Sequence, residues 1–399
     1  MDTMELRRWV DLKEDDHHDF KQVWHSKEKN YELVKDIFSF VNTTHHDDCF
    51  LIFGVSDNQE VIGIENDENR RNQADLIDMI NKLPISGDHK PKIRIETLKY
   101  AEHEIDVLRI INTNAVPIYL NQKWPKKGSK NYLTPGQIFM REGDRNVSID
   151  GTAEYPKVEK LWQKHFRFDV PILERYSYVL QDVENWSYYE NKEGYGFLYN
   201  LNPDFNMNLV RDDENRADIK PFSLNYIDCT ISWSMLKVNY RQITIKELSV
   251  VWLDGGRVIS VSPEVSQMKF SNDDSFYYYF IAGTMKGLIQ KLFEFYNYSN
   301  KSLGAAPLAE FYESVVFFES ESEMKNIEHI VSKNWDSISK EIEPTKEELK
   351  IIPDAVINNC RNQSLKPPKE VFAILLRQQK LAKEIKKILP IYRLKKDNK

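Results

Sequence analysis

Two short stretches of this chain carry residues that could do chemistry. "KEDDHHDFK", Lys13 to Lys21, sets Glu14 and Asp19 five residues apart, with Phe20 and Lys21 directly behind. "CFLIFGVSDN", Cys49 to Asn58, is almost wholly apolar as far as Val55 and then turns polar. The apolar run reads as a strand buried on both faces. Asp57 then stands two residues past the strand end. Carboxylates gathered at one point make a site for a hard cation. The same residues apart are solvated acids, of which the chain has 62. "SDN" is also good turn chemistry, and spacing alone does not decide between these readings.

Other residues are weighed the same way. His17, His18, His25, His45 and His46 place five of the nine histidines in the first 46 residues. Their spacing fits no familiar zinc pattern, so hydrogen-bonded or solvated imidazole is the leading reading, with a zinc site or a proton shuttle as the others. The loop "NQKWPKKGSKNY" carries Lys123, Lys126, Lys127 and Lys130 around Trp124 and Tyr132, and Arg141 and Arg145 follow. Lysines track phosphates and aromatics stack on bases, so this set is the candidate nucleic-acid contact. The alternative is a solvated loop anchored by Trp124. Residues 361–399 hold twelve Lys or Arg against three acids. Their last helix reads as a packed helix with a wet basic face, an RNA clamp or a membrane-surface helix. As a clamp it would form a separate arm, removable at Gln363 without unfolding the rest. No G-x4-G-K-[ST], G-x-S-x-G or HExxH occurs, so triphosphate cradling and those hydrolytic centres are set aside.

The elements that must position these residues follow from composition and periodicity. A chain of 399 residues implies two or three domains. A net charge of -7 gives no global case for nucleic-acid binding, so any such contact must be local. Three scattered cysteines and no signal-like or membrane-spanning run fit a cytoplasmic protein without a membrane partner. The expected fold class is α+β. Residues 1–168 form a mixed sheet with helices: a helix over 27–42, the strand 49–55 with a hairpin partner over 59–65, and a second helix in "NRRNQADLIDMINKL". Then come a hairpin, "KIRIETLKY" and "HEIDVLRII", turning at Ala101-Glu102, and late strands at "PIYL" and "GQIFMREG". Residues 169–300 form a β-rich domain whose pattern returns to helix from Phe276 to Phe295, with "DGG" at 254–256 as a hairpin turn. Residues 301–399 are mainly helical after a strand at "SVVFFES", with a basic last helix stopped by Pro390.

The order of these pieces resembles the AlbA_2 domain of the Schlafen family over roughly residues 8 to 165. That domain opens with Glu-x4-Glu-Phe-Lys, continues into an amphipathic helix ending in a "FANT"-type segment, and has a buried strand ending in "IGV-x-D". The matching pieces are Glu14, Asp19, Phe20 and Lys21, then "FVNT" at 40–43, "IFGVSD" at 52–57, "VIGI" at 61–64, "VPIYL" at 116–120 and "GQIFMREGDRN" at 136–146. Asp19 stands where the family usually has Glu. "HHDD", His45 to Asp48, stands where many relatives have Gly-Gly.

The resemblance implies a metal-dependent endoribonuclease that cuts structured RNA such as tRNA, in antiviral or stress defence. Carried over residue by residue, Glu14, Asp19 and Asp57 would be the catalytic acids and the ligands of Mg²⁺ or Mn²⁺, with Lys21 beside them holding a phosphate. Two carboxylates about 4 Å apart repel by roughly 4 kcal/mol at an effective dielectric near 20, so a set of three needs protonation or a cation. The family grips RNA with two lobes, and this chain shows the signature once, so a homodimer or a divergent second lobe is expected. A non-catalytic nucleic-acid-binding regulator and an interaction scaffold are the alternatives. Convergence of the three acids within about 5 Å separates catalysis from binding alone.

Overall fold

The computed structural model describes residues 3–125, 131–191, 194–211, 219–226, 231–268, 275–299, 305–363 and 366–397. The chain divides into two compact units, Met1–Pro171 and Ile172–Lys399. The α+β class expected from the sequence, with a mixed N-terminal sheet, a β-rich middle and C-terminal helices, is the one observed. Among the described residues, no helix is long and apolar enough to cross a membrane.

The first unit runs α1 (Thr3–Val10), β1 (His18–Lys21), α2 (Asn30–Val41), β2 (Cys49–Phe53), α3 (Gln73–Asn81), β3 (Ile93–Tyr100), β4 (His103–Ile110), β5 (Arg141–Glu142), β6 (Arg145–Asn146) and α4 (Tyr155–His165). Its sheet has the order β1-β2-β4-β3. β1 and β2 are parallel, and the other two pairings are antiparallel. The apolar composition of β2 follows from its place inside this sheet: Leu51, Ile52 and Phe53 are all fully buried. Leu33, Ile37, Phe40 and Val41 form the buried stripe of α2, as their helical spacing predicts. The hairpin turns at Ala101-Glu102, where both residues have positive φ (50° and 64°), as a tight turn matching strand twist requires.

Four strand expectations in this unit are corrected. β2 ends at Phe53 because Gly54 takes φ 101°, where an added Cβ would also meet Ile105 Cδ1 at 2.9 Å. Beyond it, the hairpin partner over 59–65 shrinks to a single bridge, Val55 with Val61. "PIYL" is not a strand, since Pro117 has no N–H for a ladder; Leu120 makes one bridge to Ile85. "GQIFMREG" contributes only the two residues of β5.

The second unit begins with α5 (Ile172–Val179). Six antiparallel strands follow: β7 (Trp186–Asn191), β8 (Gly194–Tyr199), β9 (Phe205–Arg211), β10 (Ser232–Tyr240), β11 (Ile243–Leu253) and β12 (Val258–Val261). Asp254–Gly256 turns β11 into β12, as "DGG" predicts. β13 (Glu264–Gln267) and β14 (Phe276–Ile281) start a second sheet, completed after α6 (Met285–Ser299) and α7 (Ala305–Glu313) by β15 (Val315–Phe318). The helix expected over 276–295 therefore begins as a strand and becomes helix only from Met285. Its opening "FYYYFI" is aromatic but for the β-branched Ile281, and tertiary pairing on both edges takes it into the sheet.

The unit closes with α8 (Glu321–Lys333), α9 (Trp335–Glu341), α10 (Asp354–Gln363) and α11 (Pro368–Asp397). Pro390 lies inside α11 rather than ending it; it removes one intrahelical hydrogen bond without breaking the helix. Nor is α11 a detached arm. Leu381, Ala382 and Ile385 are fully buried in one core cluster with Val316, Phe318 and Ile327.

Candidate active site

The parallel pairing of β1 with β2 sets Asp19 opposite Leu51 and Lys21 opposite Phe53. Alternation along β1 sends Phe20 into the small core with Leu6, Val10 and Ile52, leaving Asp19 and Lys21 on the other face. Glu14 precedes the strand and is fixed to it: its Oε1 accepts the Phe20 amide N–H at 2.8 Å. β5 then delivers Arg141, whose Nη2 lies 3.3 Å from Glu14 Oε2 and 3.0 Å from Asp19 Oδ1. The same guanidinium donates through Nε to Asp15 O (2.6 Å) and Gly143 O (3.0 Å). Lys21 Nζ donates to Asp19 Oδ2. Asp36, from the buried face of α2, accepts from Asn146 Nδ2 at 2.8 Å and lies 3.4 Å from His25 Nε2.

Three carboxylates, Glu14, Asp19 and Asp36, thus face two fixed cations, Lys21 and Arg141. Burial and the neighbouring Asp19 push Glu14 up to about 7, against the Phe20 amide and Arg141, which pull it down. Burial pushes Asp36 up to about 6, with Lys21 opposing. Burial alone would lower Lys21, but Asp36, Asp19 and Glu14 outweigh it and raise it. Burial and Lys21 push His25 down to about 4, so it is neutral near pH 7. Glu14 and Lys21 are the members open to solvent, with side chains 22% and 27% exposed; those of Asp19 and Arg141 are 5% and 1%.

This arrangement fixes a pH dependence. Between about 4.5 and about 7 the folded chain keeps a proton on Glu14 that the unfolded chain has released. Stability must fall as pH rises through that window. In Glu14→Gln the amide oxygen can still accept the Phe20 N–H, and the proton linkage is gone. Urea unfolding at pH 5 and pH 8 should show the wild type losing on the order of 1–3 kcal/mol more than Glu14→Gln between the two. Equal losses would remove Glu14 as a perturbed acid.

Asp57 is not brought to the pair. It is exposed in the turn after β2, where Gln59 N–H donates to Ser56 O at 2.8 Å. Among the described residues, no three acid, histidine or cysteine ligand atoms within 4.8 Å of one another include Glu14, Asp19 or Asp57. The reason is chain direction. Leu51 is the residue that faces Asp19, and β2 runs on from it to end at Phe53, before the turn that carries Asp57. The further acid that couples electrostatically to Asp19 and Lys21 is Asp36, though among the described residues it too lies outside any three-ligand group with the pair. Its signal was present in the sequence, as an acid set between Leu33, Ile37 and Phe40 on the apolar stripe of α2.

The basic set is dispersed. Arg141 belongs to the acid cluster rather than to a phosphate-tracking surface. Arg145 is exposed, 3.8 Å from Asp144. Lys123 Nζ lies 3.1 Å from the centre of the Tyr132 ring. Trp124 packs on the domain core, as its anchoring role predicts. Lys126, Lys127 and Lys130 lie outside the described residues.

The Glu14–Asp19 pair offers only oxygen donors, each of which already faces the Phe20 amide, Arg141 or Lys21. It does not form a three-acid cage. Residues 14–150 match the family model described as Schlafen, AlbA_2, and this segment is a domain of that family. No curated protein matches the chain. A domain of this kind has a nucleic-acid-related function.

Proposed function

We propose, taking the Schlafen AlbA_2 domain as premise, that its chemistry is the metal-dependent cleavage of structured RNA such as tRNA. The observation that carries this reading is the Glu14–Asp19 pair held by one guanidinium, with Lys21 open beside it. Glu14 and Asp19 would hold a divalent ion, which when bound supplies Lewis acidity at a phosphoryl oxygen. Lys21 presents its ammonium to a non-bridging phosphate oxygen. Without an ion Glu14 is pushed up to about 7, so ion binding would release its proton and should tighten as pH rises through neutrality. Asp19 is pinned by Arg141 and Lys21 and holds the pair's geometry.

Purified protein incubated with total tRNA tests this. Cleavage with Mn²⁺, lost with chelator and reduced about 10²–10⁴-fold by Glu14→Gln or Asp19→Asn, is the expected result. Asp57→Ala then distinguishes a two-acid from a three-acid site. Metal-independent or variant-independent cleavage would defeat the assignment. A second reading, RNA binding without cleavage, is favoured by Arg141 bridging the two acids and Lys21 on the other oxygen of Asp19. Retained RNA affinity with no Mn²⁺-dependent product would establish it.

A further inference from the structure

His17 and His45 meet at a place the acid pair does not use. The segment entering β1 carries His17, and the α2–β2 connection carries His45. Because the two strands run parallel, both segments arrive at the same end of the sheet. There the two imidazoles stack, with ring centres 4.1 Å apart and planes 17° from parallel. Asp16 Oδ1 lies 3.2 Å from His17 Nδ1. Asp16, His17 and His45 each offer a ligand atom, and the three atoms lie within 4.8 Å of one another. Asp16 is exposed and both histidines are half-buried, so the group is open to an ion from solvent. Asp47 Oδ2 is 3.6 Å from His17 Nε2, Asp15 Oδ1 is 3.8 Å from His17 Nδ1, and Cys49 Sγ is 3.7 Å from His45 Nε2.

We propose that Asp16, His17 and His45 bind one zinc-class divalent transition-metal ion at a site distinct from the Glu14–Asp19 pair. Two imidazoles and one carboxylate are a nitrogen-rich set, which suits Zn²⁺, whereas Mg²⁺ takes oxygen ligands. Three protein ligands leave a fourth tetrahedral position for water. Bonds of about 2.0–2.1 Å require ligand atoms roughly 3.3 Å apart, so the side chains close inward on binding. His45 Nδ1 accepts the Asp47 amide N–H at 3.2 Å, which leaves the ring proton on Nε2, 3.2 Å from Asp16 O. Coordination through Nε2 moves that proton to Nδ1 and turns the ring away from the amide.

The loop backbone is fixed independently of any ion. Lys164 Nζ donates to Thr43 O (2.8 Å) and His45 O (2.5 Å), and Asp48 accepts from Arg109 Nε (2.6 Å) and Asn112 N (2.7 Å). Lys164 is a fixed cation near the site, but Asp15, Asp16 and Asp47 outweigh it. Asp16 and His17 lie between Glu14 and Asp19 in sequence, so a bound ion would tie the strand carrying the acid pair to the α2–β2 loop.

The full chain, stripped with chelator, is titrated with Zn²⁺ by calorimetry and with Co²⁺ by visible absorption. With Mg²⁺ in excess to compete at the oxygen-only acid pair, one tightly bound Zn²⁺ per chain and visible Co²⁺ bands of a tetrahedral site are expected. His17→Gln and His45→Gln should weaken binding by more than the roughly 10–100-fold that loss of a mere supporting partner costs. Glu14→Gln/Asp19→Asn should leave Zn²⁺ affinity unchanged, which separates this site from the acid pair. If the histidine variants fail to fold, Asp16→Asn, at an exposed position, must still weaken binding. The proposal is overturned by a wild type without stoichiometric Zn²⁺, by unchanged affinity in the ligand variants, or by loss in the acid-pair variant alone.

Discussion

Arg141→Met should destabilise the N-terminal unit by about 3–5 kcal/mol at pH 8, the cost of removing one partner from a buried ion pair. The Arg141 side chain is almost fully buried and one of its nitrogens serves both Glu14 and Asp19. Methionine fills similar space but leaves the acids to repel each other and leaves the Asp15 and Gly143 carbonyls without their donor. Lowering the pH should shrink the penalty, because Glu14 takes up a proton and the repulsion disappears. Adding Glu14→Gln to Arg141→Met should recover part of the loss by the same argument, and the double-mutant cycle reads the coupling directly. Urea unfolding of the four proteins at pH 5 and pH 8 measures it. A pH-independent loss with no coupling would mean that Arg141 acts by packing over the Phe40 ring, 5.0 Å away, and not by charge.

The local part of this site was legible in the sequence and the long-range part was not. "KEDDHHDFK" offered Glu14, Asp19 and Lys21 because they sit together in one short stretch that resembles the Glu-x4-Glu-Phe-Lys signature. The amphipathic stripe of α2 and the two-residue turn at Ala101-Glu102 were readable too, since periodicity and turn chemistry are local properties. Arg141 was legible as a cation but not as a partner of residues more than 120 positions upstream, because that meeting depends on tertiary packing alone. Asp57 failed in the opposite direction. A strand-end acid is a natural candidate, but the strand stops early at Gly54 and the following turn carries Asp57 into solvent. "FYYYFI" misled because five aromatics in a row followed by Ile281 have no decisive period, and pairing with β13 and β15 settled it.

Ending the chain at Gln363 should abolish the cooperative unfolding transition of the C-terminal unit. Charge alone argues otherwise, since residues 361–399 carry nine more basic than acidic groups and look like a detachable arm. In the fold those cations are largely spoken for. Arg377 lies 3.4 Å from Glu343, Lys380 2.7 Å from Glu348, Lys383 2.9 Å from Glu313 and Arg393 2.7 Å from Glu323. Beneath them Phe372, Leu375, Leu381, Ile385 and Leu389 are buried. Gln379, also buried, donates to Asn225 Oδ1 (3.0 Å) and Ser314 Oγ (2.9 Å). Losing the five apolar side chains at about 1.5–3 kcal/mol each removes about 7–15 kcal/mol, as much as a whole domain's stability. Surface ion pairs, at about 0–1 kcal/mol each, change this little. Calorimetry of the full and shortened chains decides it. The full chain should show transitions for both units, and the shortened one should keep only that of residues 3–171. A shortened chain that retains both would return α11 to the arm reading, and its RNA affinity would then measure the clamp.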